Sequence, residues 1–292
     1  MISYNPKHWL RFIFNFHRAD TVRKMFPLLI AMGFYAWLVA FLEMEYFQLS
    51  QNNNLRNVSI LHTLLGFAIS MLLVFRTNTA YDRWWEGRRQ WGSLVNSSRN
   101  FAVKISSILY NDASGRKFFA QLIATFCFGL KAHLQSEELA WQLDENPHPE
   151  ISGFDKNGHV PNQIIKKLMH KLQHLQREEK ISPEQMLLLN GEITAFLDIC
   201  GACERIKNTP IPYSYSVFIK KFIFLYVLTL PIGLVFTLGY LVIPVVVFVF
   251  YVLGSLELIA EEIEEPFGKD ANDLPLDRMC ENIKRNVEEL LA

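Results

Sequence analysis

Thirty-five consecutive residues, Phe222 to Leu256, carry no charged side chain. A helix crosses the hydrocarbon core with roughly 20 residues, so this run is too long for one crossing and suits two tight ones. Pro231, Gly233, Gly239 and Pro244 sit within it, where a reversal belongs. The run therefore predicts a helical hairpin turning near Gly239–Pro244. A buried helix pair in a soluble protein is the competing reading, and the length of the run argues against it. Met25 to Leu42 and Asn57 to Phe75 are also uncharged and supply two more spans.

Basic residues orient these four spans. Lys7, Arg11, Arg18, Arg23 and Lys24 precede the first, and Arg76, Arg83, Arg88 and Arg89 follow the second. Arg205, Lys207, Lys220 and Lys221 precede the third. The connection between spans one and two holds only Arg56, beside Glu43 and Glu45. The positive-inside rule then places both termini in the cytoplasm of a multi-pass protein of the cell (inner) membrane. The first long apolar run begins near Met25 with no small-residue cleavage site behind it, so no cleavable signal peptide is expected.

The remainder reads as helical. Phe118–Leu134, Asn162–Glu179 and Pro183–Ile206 mix apolar and charged residues near helical period. Strand signals are scarce, and Asp144 to Gly158 reads as a surface loop through its Asn-Pro, His-Pro and Asn-Gly pairs. The expected fold class is all-α: four transmembrane helices with a cytoplasmic helical body, assembling as a homo-oligomer around a central pore. The expected divisions are a cytoplasmic N-terminal segment (1–24), spans one and two (25–75), the helical body (76–215), spans three and four (216–260), and an acidic turn with a C-terminal helix (261–292).

Composition removes several functions. Lys plus Arg and Asp plus Glu number 29 each in 292 residues, so no net charge recommends nucleic acid as a partner. Cys127, Cys200, Cys203 and Cys280 are too few and scattered for a disulfide framework. Cys200-Gly-Ala-Cys203 has redox or zinc-ligand spacing but no second pair, and reads as a structural thiol pair. His170 and His174, four apart on a helix, sit among Lys166, Lys167 and Lys171 and read as a solvated basic face. There is no Walker loop, no Gly-x-Ser-x-Gly and no His-Glu-x-x-His. No enzyme is predicted.

In span two, Phe67, Met71 and Phe75 are four apart and share one helical stripe, while Gly66, Ala68 and Ser70 are small enough for close helix approach. Such a stripe meets lipid, another helix or, with several copies around an axis, a pore. Behind span four, Glu261 to Pro275 is crowded with carboxylates.

Three stretches give these features a family. "FRTNTAYDRWWEGRRQWG" after span two, "CERIKNTPIPYSYSVFIKKF" before span three and "EEIEEPFGKDANDLPLDRMCENI" after span four resemble the corresponding segments of bestrophins, most closely the shorter bacterial homologues. The resemblance implies a homopentameric ion channel conducting small monovalent ions passively through one central pore. Its partners would be further copies of itself, the lipid bilayer and small inorganic ions. It places the pore neck, a hydrophobic gate, at Phe67, Met71 and Phe75. It assigns a calcium clasp to Glu262, Glu265, Asp270 and Asp273, with Lys269 and Ala271 standing where animal members have acids. The other reading of this turn is an ion-pair anchor to Arg76, Arg83, Arg88 and Arg89. Calcium is the only cofactor the resemblance raises. It also places a cytoplasmic constriction at Glu184, where a ring of carboxylates would favour cations. The alternative is an ordinary first-turn acid after Ser182-Pro183. The selectivity of a chloride-channel family is thus left open between anions and cations. A membrane scaffold that binds another protein without conducting ions is the rival function. A carrier is disfavoured because the spans lack intramembrane charge and inverted repeats.

Overall fold

The structure, a computed structural model, describes residues 21–47, 58–137, 155 and 158–292. The described residues are almost entirely helical, with no strand among them. Among the described residues, eight α-helices follow in order: α1 (Thr21–Phe41), α2 (Val58–Ile108), α3 (Ala113–Gln135), α4 (Val160–Arg177), α5 (Pro183–Asn208), α6 (Tyr213–Leu238), α7 (Val242–Glu264) and α8 (Leu276–Leu291). Lys7, Arg11, Arg18 and Arg56, and most of the loop expected over 144–158, lie outside the described residues.

The chain forms two compact units. The first comprises Met1–Trp84, Pro210–Glu265 and Asp270–Asn272, and the second comprises Trp85–Thr209, Pro266–Lys269 and Asp273–Ala292. Helix α2, with 51 residues, contributes to both and is about 76 Å long at 1.5 Å per residue. The sequence reading ends the second span at Phe75, but no proline or glycine pair interrupts the helix beyond it, and the helical register continues.

Unit one packs α1 against α7, with α6 against both. Met25, Met32 and Ala36 of α1 meet Val227, Leu230, Val246 and Phe250 of the hairpin, with Ile69 and Leu73 of α2. Small residues set the approach: a Cβ on Gly66 would lie 2.9 Å from the Tyr226 hydroxyl. Ala68 and Ser70, by contrast, are exposed. Thr21 donates to Ser255 at 2.8 Å, and His62 Nε2 and Thr229 Oγ1 lie 3.0 Å apart, so polar groups in the spans find partners between helices. The hairpin turns at Gly239, whose φ of +54° favours a residue without Cβ. Pro231 lies inside α6, which continues past it to Leu238. One further turn was not expected: Leu42–Tyr46 is π-helical and carries Glu43 into a buried position at the end of α1.

Unit two is a helical body with an aromatic centre. Phe101 meets Phe119 and Phe196 edge-on at 5.9 Å, and Phe126 lies 5.1 Å from Phe196. Asp112 caps α3 through Gly115 N at 2.7 Å, and Ser182 with Gln185 forms a capping box on α5 behind Pro183. Helix α8 lies on α3 through Leu276, Cys280, Ile283, Val287 and Leu291, an i, i+3/i+4 stripe.

Thr21–Tyr46, Ile60–Ile108, Pro183–Asn208 and Tyr213–Glu264 hold helix long and apolar enough to cross a membrane. The last contains both arms of the hairpin. Helix α5 meets the same criterion, although its Leu189, Ile193 and Phe196 are buried in unit two.

Candidate pore stripe and acidic turn

On α2 the two faces of the spanning part differ sharply. Ile69 and Leu73 are buried, whereas Phe67, Met71 and Phe75 are 71%, 50% and 56% exposed in the single chain. Leu64, 66% exposed, extends the stripe by one turn. Large apolar side chains left open in a row need lipid or another copy as their neighbour.

Carboxylates in the last turn of α7 and just behind it line a cavity of about 370 Å³ in unit one, together with Lys24, Arg76 and Lys220. Glu262 is buried, and both of its oxygens are engaged. The Lys24 ammonium donates to Oε1, and Asn272 Nδ2 donates to Oε2 at 2.5 Å. Arg76 is only 1% exposed. Its NH2 lies 2.7 Å from Glu264 Oε2, and its Nε lies 3.4 Å from Glu257 Oε2, an ion pair without hydrogen-bond alignment. Glu264 also accepts from Ile211 N at 2.9 Å through its side chain and from Arg83 Nε at 3.0 Å through its carbonyl. Trp84 Nε1 donates to the Asn272 carbonyl at 3.1 Å. Lys220 pairs with Glu261 at 2.9 Å. Arg88 and Arg89, the other two arginines of the expected anchor, are exposed.

Calcium takes six to eight oxygens. Of the four residues the clasp reading names, Glu262 is committed to an ammonium and an amide, and Glu265 and Asp270 are exposed at the cavity. Asp273 is buried in unit two. The arrangement fits internal cations, Lys24 and Arg76, and does not fit a resident calcium ion. The sequence marks Lys24 only as an orienting charge and Glu257 only as the end of the uncharged run, and gives Asn272 no role. Nothing local marks a pairing between residues 238 positions apart.

Glu184 is exposed in the first turn of α5, where its carboxylate accepts from Ser182 Oγ at 2.7 Å. His170 and His174 are exposed, and His174 pairs with Glu178 at 3.3 Å. All four cysteines are buried free thiols, and burial pushes the Cys127 thiol up to about 12. A second cluster lies in unit two: His133, His159 and Glu204 converge from three helices. Burial and the neighbouring His159 hold the His133 imidazole below its usual range, against the pull of Glu204.

Comparison with known proteins decides the family. The model of the bacterial and fungal bestrophin proteins matches residues 1–289. The chain belongs to this family. A voltage-dependent anion channel-forming protein of Nostoc sp. is 32% identical over 294 residues, covering 98% of this chain and 92% of the relative. The similarly named YneE of Escherichia coli K12 is 32% identical over 294 residues, covering 99% and 94%. The crystal structure of a variant of a bacterial bestrophin homologue from Klebsiella pneumoniae superposes with a TM-score of 0.85 at 27% identity, covering 92% of this chain and 99% of that one. This bestrophin is a helical membrane protein, and its family and relatives indicate an ion channel rather than an enzyme.

Proposed function

We propose that this bestrophin assembles as a homopentamer whose α2 helices surround a central pore, and that small monovalent ions pass through it passively. The exposed stripe of Phe67, Met71 and Phe75 carries this reading. Five copies facing one axis would enclose these side chains in a dry constriction that gates by dewetting. The names of the relatives from Nostoc sp. and Escherichia coli favour anions as the permeant species. The spans sit in the inner membrane with both termini cytoplasmic, as the basic residues at their ends direct.

The acidic turn is then an anchor. Lys24 and Arg76 neutralise Glu262, Glu257 and Glu264 where α1, α2 and α7 meet in unit one. The test of the whole reading is a planar-bilayer recording of purified protein under a salt gradient, paired with a native mass measurement. A pentamer with a reversal potential on the anion side supports it. A persistent monomer, or a pentamer that passes no ions, sinks it and leaves the scaffold.

A further inference from the structure

We propose that His133, His159 and Glu204 form a transition-metal site, of the kind that takes Zn²⁺ or Co²⁺, in the helical body of unit two. The three come from separate helices: His133 from the last turn of α3, His159 from the N-cap of α4, and Glu204 from the end of α5. Both imidazoles aim Nε2 at one carboxylate oxygen, at 2.7 Å from His133 and 2.5 Å from His159, and the rings lie 4.5 Å apart. Each side chain is about one-third exposed or less, so the cluster has packed walls and one side open to solvent.

Two imidazole nitrogens and one carboxylate are the ligand set of three-ligand zinc sites, where water completes the tetrahedron. The nitrogen donors select a borderline metal over calcium or magnesium, which prefer oxygen. At metal–ligand distances of about 2.0–2.2 Å, ligand atoms stand roughly 3.3 Å apart, so the trio opens by less than about 1 Å to admit an ion. The surroundings hold the ligands in place. Lys207 Nζ donates to the His133 carbonyl and to Ser136 Oγ, each at 2.9 Å, and so fixes the end of α3. The Lys207 charge opposes a cation, and the Glu204 carboxylate offsets it.

Without metal, the trio is a hydrogen-bonded set. His159 Nδ1 accepts from Asn162 N at 3.2 Å, which puts its proton on Nε2, facing Glu204. An ion on Nε2 displaces that proton to solvent, and Nδ1 takes one up. The imidazole stays neutral with its tautomer reversed. The exposed Asn162 N–H then turns to water, and the first intrahelical bond, Gln163 N to His159 O at 3.2 Å, remains. Metal binding here therefore has its own signature, the reversal of one histidine tautomer.

The experiment uses the full chain in detergent after chelator treatment, titrated with ZnCl₂ and with CoCl₂. The expected result is one ion per chain, a raised unfolding temperature, visible ligand-field bands for cobalt, and exchange of the His159 ¹⁵N shifts between Nδ1 and Nε2. Calcium chloride should produce none of these. His133→Gln and Glu204→Gln should each weaken binding by more than about tenfold, whereas His170→Ala with His174→Ala should leave it unchanged. Circular dichroism of the metal-free variants separates lost binding from lost folding. The proposal is overturned if zinc leaves the unfolding temperature and the His159 shifts of the wild-type chain where they were, or if binding survives both substitutions.

Discussion

The Lys24 ammonium at the start of α1 pairs with the buried Glu262 carboxylate near the end of α7, 238 residues later. An ammonium from the chain itself thus stands at the carboxylate where the family resemblance would put a metal ion. The pairing ties the first helix of the chain to the last helix of the hairpin and sets the first expected outcome. Lys24→Ala should lower stability by about 1 kcal/mol, since Lys24 is partly exposed and its pair is screened. Millimolar calcium should leave the wild-type unfolding temperature unchanged, because no binding free energy is added to the folded state. Differential scanning calorimetry with and without calcium reads both. A calcium-dependent rise in the wild type would restore the clasp.

Arg76 is the more costly position. Arg76→Met leaves Glu257 and Glu264 buried without their cation, and breaking such a pair from one side costs about 3–5 kcal/mol. The triple change Arg76→Met with Glu257→Leu and Glu264→Gln removes the orphaned charges and should recover much of that loss. Denaturant unfolding of the two variants compares them directly. Equal stability would show that the carboxylates do not depend on the arginine.

Alanine at Phe67, Met71 and Phe75 together should leave folding intact, because the three side chains are exposed in the single chain. Ion flux into liposomes should rise, since every subunit loses its bulk at the constriction at once. An intact pentamer with unaltered flux would assign the stripe to lipid.

Glu184→Gln is expected to leave the reversal potential in place. The carboxylate bends back on Ser182 within its own turn, and the capping box of Ser182 and Gln185 starts α5 without it. A shift of the reversal potential toward the anion side would instead place a ring of five carboxylates on the ion path.

Cys127 and Cys280 should resist alkylation of the native protein at mildly alkaline pH. Burial raises both thiols, Cys127 to about 12, so the reactive thiolate forms only well above that range. Labelling followed by mass spectrometry should show both thiols modified only after unfolding. Rapid labelling of folded protein would mean that α3 and α8 separate readily.

The sequence alone determined the spans, the hairpin and the helical class. Those follow from short-range rules: uncharged length, helical period, and a glycine where φ turns positive, as at Gly239. The side-by-side placement of Phe67, Met71 and Phe75 was legible for the same reason, since residues four apart share a helical face. The caps at Ser182 and the Pro183 start were equally local. Tertiary structure decided which charges meet. Lys24 with Glu262, Arg76 with Glu257 and Glu264, and His133 with His159 and Glu204 are joined across helices. No periodicity encodes such a meeting, because it depends on the side chains that set how closely helices pack and in which rotation. One row of residues, Glu262 to Asp273, shows the division. Its carboxylates could be read from the sequence as a cluster, but whether they face a metal or an ammonium depends on a lysine that only the fold brings to them.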